Sequence, residues 1–419
     1  YSIKTKEDLK MKKERGITLI ALIITIVVLL ILAAVAISSI QNDGILSYAI
    51  NAAKDYNQAA ANEQDMLQGY LNFLNNGGLG DGNGDGKLTV TAVKNQVLSE
   101  TENKEVYDVY GNRIILPAGF KITTDASKVT EGIVIEHGTD GNQFVWIPVG
   151  TINHLDADSK ATTTLITLGR YKFSTSDVTT DGVTIYAGTP SVYTGSYTED
   201  TEATHTKTNA IARNIEHFTA SANSKGGYYI GRYEAGDSKN SAIADRKGES
   251  GKTTEGVLVC KANQVPYNWI LQKDASDLCK GMYPDGYKAD GTGTFSSDLI
   301  NSYAWDTAIV FIQTFGKDKT AVAERNKSVK NYSNLNKSTS YTKTGANGDE
   351  YCNINDMSGN ALEWSTETYS FALSPCVIRG GYYDTANGEA YGYTSYRSIS
   401  SVTDSSSSYA FRPLLYVGL

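Results

Sequence analysis

The residues from Gly380 to Arg412, "GGYYDTANGEAYGYTSYRSISSVTDSSSSYAFR", are crowded with Tyr, Ser, Thr, Asp and Asn. Tyrosine offers a large contact area at low rotamer cost, while Ser, Asn and Gly adapt their hydrogen bonds, so this alphabet suits recognition. Tyr382, Tyr383, Asp384, Asn387, Tyr391, Tyr393 and Tyr396 are the expected contact residues. Arg379 and Arg412 bracket the segment, and their forked guanidinium groups are expected to tie its ends to carboxylates or carbonyls of the scaffold. A second group stands just upstream in "NDMSGNALEW", Asn355 to Trp364. There Gly359 lets the backbone fold back and Asn360 can bond neighbouring backbone groups as a turn residue. Glu363 and Trp364 then supply an acceptor and a large ring to pin that turn to the core.

Other chemistry-bearing residues are dispersed. His137, His154, His205 and His217 have no helical ligand spacing between them and read as surface histidines. Cys260, Cys279, Cys352 and Cys376 are an even set, which in an exported head permits two disulfides in any of three pairings; four buried thiols are the alternative. Asp81, Asn83, Asp85 and Gly86 mimic the first half of a calcium loop, but the twelfth position is Ala92, so the stretch reads as a flexible Gly/Asp linker. A net charge of −8 over 419 residues leaves no electrostatic footprint for nucleic acid.

The elements that must position these residues begin with an apolar rod. No residue from Ile17 to Ile37 is charged, and 21 residues make roughly 31 Å of helix, enough to cross a hydrocarbon core. This is longer than an ordinary signal-peptide core, and Lys12, Lys13 and Arg15 favour a cytoplasmic N-terminus. Ten residues precede Met11, which is the expected start. After "QNDG" at 41–44, apolar residues recur at three- and four-residue spacing as far as Leu74, which predicts an amphipathic stalk. From about Val106 short β-type runs alternate with Gly, Asp, Asn and Ser, and helical patterning is confined to Trp269–Lys280 and Ser302–Phe315. The tail "FRPLLYV" reads as a closing core strand. The resulting organisation is a leader at 1–16, a helix and stalk at 17–75, a linker and connecting segment at 76–105, and a head at 106–419.

"KKERG" followed by "ITLIALIITIVVLLILAAVAI" resembles a type IV prepilin leader. The resemblance implies a prepilin peptidase cutting between Gly16 and Ile17, a helix held in the membrane before assembly, and sister pilin subunits as partners. Pilins carry a glutamate at the fifth mature position, where this chain has Ala21. That departure removes the N-terminal pairing and points to a minor pilin or pseudopilin; a simple signal anchor is the alternative.

The ordered set "FVWIPVG", "GGYYIGRYEAG", "QVPYNWI", "SYAWDTAI", "NDMSGNALEW", "VIRGGYYD" and "YAFRPLLY" resembles the formylglycine-generating (sulfatase-modifying) enzyme family, whose fold is related to C-type lectins. The fold class expected is therefore α+β, a long pilin-type helix followed by an irregular, loop-rich C-type-lectin-like domain. The resemblance implies a structural calcium ion held by the Asp356 side chain and the carbonyls of Met357, Gly359 and Ala361; a hydrogen-bonded turn without metal is the alternative. The family's enzymes hold copper with two cysteines in the segment after RGG, and the stretch from Gly380 to Arg412 has none, so neither copper nor catalysis is expected. The segment's position also resembles the variable region of retroelement-diversified lectin-fold proteins. The expectation is a non-catalytic, pilin-like binding protein at the cell surface, single-pass with an extracellular head, meeting an extracellular protein or glycan. The alternatives are a membrane-tethered enzyme of the formylglycine-generating type and a structural minor pilin.

Overall fold

Strands made of continuous apolar residues belong where both faces of a sheet are covered. "QFVWIP" and "GYYIG" are such runs, and they pair with each other in the middle of the head. The computed structural model describes residues 87–171, 196–239, 256–316, 341–346, 350–357, 359–383 and 394–419. All fall within Gly69–Leu419, the second of two units into which the chain divides. The leader with Gly16 and Ile17, the apolar rod, the stalk and the Asp81–Asp85 linker lie outside the described residues. Among the described residues no helix is long and apolar enough to cross a membrane.

In chain order the strands are β1 Lys104–Tyr107, β2 Arg113–Leu116, β3 Phe120–Ile122, β4 Val134–His137, β5 Gln143–Pro148, β6 Gly150–Leu155, β7 Ala161–Ile166 and β8 Tyr197–Thr198. Helix α1, Ile215–Lys225, leads into β9 Gly227–Gly231, followed by the short β10 Gly236–Asp237, β11 Leu258–Val259 and β12 Val265–Pro266. Helix α2 is Gln272–Gly281, β13 is Phe295–Leu299 and helix α3 is Ser302–Phe315. The chain closes with β14 Leu362–Tyr369, β15 Cys376–Arg379, β16 Arg397–Ser400, β17 Tyr409–Phe411 and β18 Pro413–Val417. The described part is thus a mixed, strand-rich fold with few helices.

Two sheets matter for the site. The larger has the order β13-β18-β9-β5-β4-β3, antiparallel throughout. Its β9 tyrosines alternate across the pleat: Tyr228 donates to Ala304 O of α3 at 2.7 Å, and Tyr229 to Ile115 O of β2 at 2.8 Å. The tail strand β18 is inserted between β13 and β9, deeper than a closing edge. The second sheet, β16-β15-β14-β17, also pairs β8 at the far end of β14, and its β14–β17 ladder is the parallel one. A smaller core including Tyr267, Ile270, Trp364, Ile378 and Phe411 fills the space beside it.

Helices α2 and α3 form where the periodicity predicts them. Helix α1 was not expected from the pattern: its apolar contribution is thin, with Ile215, Phe218 and Ala222 turned inward among polar residues. The ends of α1 carry the signal instead, since Asn214 Oδ1 accepts from His217 N at 2.9 Å and Gly226 closes the helix at φ +79°. The connecting segment packs on the head as well, with Val90 and Val93 in the larger core and Val90 N donating to Tyr107 O at 2.9 Å.

Candidate functional site

Strand β14 carries two glutamates, Glu363 and Glu367, both wholly buried. Each meets one of the arginines that bracket the Tyr/Ser-rich segment. Arg379, also 0% exposed, donates from Nη1 to Glu367 at 3.0 Å, from Nη2 to Asp306 of α3 at 2.5 Å, and from Nε to Tyr396 O at 3.2 Å. Arg397 lies directly opposite Arg379 in the β15–β16 ladder and reaches the same two acids, Glu367 at 3.0 Å and Asp306 at 2.5 Å. Arg170 adds a third guanidinium, 2.5 Å from Glu367. Burial by itself would raise the Glu367 carboxyl, but Arg397, Arg379 and Arg170 together hold it down at about 2. Glu199 accepts from Ser302 N at 2.6 Å at the start of α3; burial pushes its carboxyl up to about 7 against the pull of Arg170.

At the other end, Arg412 grips Glu363 with both arms of its fork, Nε at 3.0 Å and Nη2 at 2.6 Å. Its remaining donors reach Gly231 O and Asn355 O, each at 2.8 Å. Arg412 therefore joins β14, β9 and the residue just before the Asp356 turn. Burial raises Glu363 to about 7 despite Arg412, with Asp356 adding to the rise.

The turn itself is built from left-handed Asx residues, Asp356 at φ +63° and Asn360 at φ +60°. Asp356 Oδ2 accepts from Gly345 N at 2.6 Å. Among the described residues the Asn360 side chain makes no bond to its own neighbouring backbone, which its turn position suggested. Its amide instead pairs with the backbone of Thr342, accepting from Thr342 N at 2.7 Å and donating to Thr342 O at 3.1 Å, and also donates to Glu234. Gly380 lies at φ +76° against this turn, where a Cβ would come within 2.7 Å of Met357 O. Only glycine fits between the clamp and the turn.

Glu234, Asp356 and Glu363 are all buried here beside one guanidinium, Arg412. Burial, then Asp356 and Glu363, drive the Glu234 carboxyl well above its ordinary range, and its Oε2 has no hydrogen-bond partner among the described residues. An excess of buried carboxylate with an orphaned oxygen fits a hard cation. Asp356, Met357, Gly359 and Ala361 are all buried in that turn. Among the described residues no three carboxylate, imidazole or thiol groups converge to hold a metal ion by themselves, so a cation here would depend on backbone carbonyls.

Of the expected contact residues, the structure brings Tyr382 and Tyr383 together edge-on, with ring centroids 5.8 Å apart. Tyr383 is 6.1 Å from Tyr341, its hydroxyl is 3.4 Å from Ser407 Oγ, and its N–H donates to Asn360 O at 3.1 Å. Tyr396 serves the frame through its carbonyl, and its half-buried ring rests with that of Tyr382 against the smaller core. Asp384, Asn387, Tyr391 and Tyr393 lie outside the described residues.

Sequence reasoning identified Arg379 and Arg412 as ties but missed Arg397, Arg170, Asp306, Glu367 and Glu234. A usable signal existed for Glu367, which follows Glu363 by four residues in one strand. All four cysteines are buried. Burial raises Cys260 to about 11 and Cys376 to about 12, so neither is a ready nucleophile. The histidines stay apart: His137 pairs with Asp140 at 3.1 Å, His205 with Asp200 at 3.2 Å, His154 lies 2.8 Å from Thr164, and His217 is on α1.

No protein family matches the chain, and no curated protein matches it. Solved structures are similar at low identity. PvdO from Pseudomonas aeruginosa is 12% identical with a TM-score of 0.34, over 68% of this chain and 98% of that one. CarF is 16% identical with a TM-score of 0.31, over 54% and 94%. Treponema denticola variable protein 1 is 12% identical with a TM-score of 0.30, over 70% and 98%.

Proposed function

We propose that the chain is a non-catalytic display protein whose C-terminal segment is its binding face. One observation carries this reading. The segment begins and ends on fully buried arginines locked to buried carboxylates, while Tyr382, Tyr383, Tyr396 and the serines at 405–408 between them remain half-buried. A frame of this kind fixes the ends of a recognition loop and leaves its contents free to suit a ligand. Asp384, Asn387, Tyr391 and Tyr393 complete the face in this reading, and substitution between the clamps by a retroelement is its evolutionary form.

The head belongs, in this reading, to the formylglycine-generating-enzyme-like branch of the C-type-lectin architecture, shorn of its copper cysteines. A calcium ion held by Asp356 and the carbonyls of Met357, Gly359 and Ala361 would offset the buried negative charge beside Arg412. The apolar rod, released from its leader between Gly16 and Ile17 by a prepilin peptidase, carries the head outward from the membrane among sister subunits.

The test uses the full-length protein in detergent. Arrays of extracellular proteins and glycans are screened with the wild type and with a Tyr382→Ala/Tyr383→Ala variant, and a cysteine-containing sulfatase peptide is incubated with copper in parallel. The reading expects a ligand whose binding falls about tenfold or more in the double variant. Aldehyde formation on the peptide, or binding indifferent to both tyrosines, overturns it.

A further inference from the structure

Of the four tryptophans in the chain, Trp146, Trp305 and Trp364 are wholly buried. Trp269 alone is half-buried. It also sits at φ +56°, in the left-handed region that bulky side chains avoid. Such a backbone persists only where the surroundings over-determine it, and these positions gather at ligand sites. What holds Trp269 is the candidate binding segment. Trp269 N donates to Ser406 O at 3.0 Å, and the side chain of Asn268 donates to Ser407 O at 2.8 Å. The same turn meets the Tyr383 hydroxyl through Ser407 Oγ. Residues far apart in the chain, at 268–269, 341, 382–383 and 406–407, therefore gather around one polar turn. The Trp269 indole N–H is buried without an acceptor among the described residues, so the exposure of this half-buried residue falls on its other atoms.

From this we infer that Trp269 is a binding residue, a fixed stacking anchor beside the tyrosine cluster, and that its ligand is a saccharide. The inference rests on the binding reading of the segment and adds to it a residue outside the clamps and a ligand class. A pyranose presents C–H bonds on one face and hydroxyls around its rim. Aromatic carbon set next to serine and tyrosine hydroxyls matches that pattern. Protein hot spots also use Trp and Tyr, but in desolvated pockets with apolar surroundings. The exposed large apolar residues of the described structure, such as Leu165, Phe371 and Leu373, all lie outside these stretches.

The test applies the full-length protein to an array of immobilised oligosaccharides of defined composition, alongside Trp269→Gly, Trp269→Phe and Tyr382→Ala/Tyr383→Ala variants. Glycine tolerates φ +56° better than tryptophan, so the first variant removes the ring while keeping the turn, and thermal unfolding checks that it folds. Wild type is expected to retain at least one oligosaccharide. Trp269→Gly should weaken that binding about tenfold or more, and Trp269→Phe by a smaller factor. The bound sugar should also shield tryptophan fluorescence from acrylamide, because the other three indoles are buried. If the double tyrosine variant loses the sugar while Trp269→Gly keeps it, the anchor is overturned and the binding face stands. If no oligosaccharide is retained, the ligand class is overturned. Sugar binding indifferent to every variant removes both the anchor and the binding face.

Discussion

Glu363 and Glu367 stand four residues apart on β14, both wholly buried and both paired to arginine, yet their carboxyls move in opposite directions. Glu367 faces three guanidinium groups and stays ionised down to about 2. Among the described residues Glu363 faces one guanidinium, Arg412, and with burial and Asp356 against it the carboxyl rises to about 7. The knot at Arg379 is thus rich in cations and binds β14, β15, β16 and α3 into one ionic unit. The knot at Arg412 is rich in carboxylates, and burial holds Glu363 there up at about 7. One end of the segment is pinned by charge that hardly responds to solution conditions, and the other end is tunable.

The largest way to break this contrast is Glu367→Gln, which leaves Arg170, Arg379 and Arg397 to share Asp306 and the more distant Glu199. Uncompensated buried charge costs about 3–5 kcal/mol, read as a loss of unfolding free energy in urea. Glu363→Gln should cost less, about 1–3 kcal/mol, because Arg412 keeps two carbonyls and the amide oxygen. Equal losses would erase the distinction between the two knots. The pH profile sharpens it further. Glu363 and Glu199 have folded values of about 7 against an ordinary 4.5, so folding takes up protons between those limits and stability falls as the pH rises from 4.5 to 7. Glu367 works the other way: its contribution is present above 4.5 and is lost as the pH falls towards 2. Glu363→Gln should flatten the upper slope and leave the lower one, as measured by urea unfolding at pH 5 and 7.5. An unchanged upper slope would assign that slope to other groups. Smallest of all, Phe371→Ser at an exposed turn outside both knots should change stability by less than about 0.5 kcal/mol.

Much of the frame was legible in the sequence because it is local. The buried runs of β5, β9 and β18 show as continuous apolar stretches, and α2 and α3 show as periodic ones. Arg379 and Arg412 stand out because nothing else explains a guanidinium at the head of RGG or inside an apolar tail. Their partners were hidden, since Asp306 lies 73 residues from Arg379 and Glu363 lies 49 from Arg412. No periodicity encodes such pairings. Arg397 was obscured differently, by a Ser/Tyr-rich context that reads as surface. Asn360 was recognised as a turn residue, but its bond to Thr342 depends on a segment whose approach only the tertiary fold sets. Trp269 falls in "QVPYNWI" and opens the stretch with helical patterning; its left-handed backbone is invisible in the sequence.

Two buried arginine knots hold the proposed recognition surface between them. Urea unfolding of the full-length protein compares Arg379→Lys and Arg412→Lys with a Tyr382→Ser/Tyr396→Ser variant. Lysine cannot reproduce the fork, so each arginine change should lose about 3 kcal/mol or more, whereas the half-buried tyrosine pair should lose no more than about 1–2 kcal/mol. Tyrosine losses equal to or larger than those of the arginines would mean that the segment is part of the fold's core and would contradict the account.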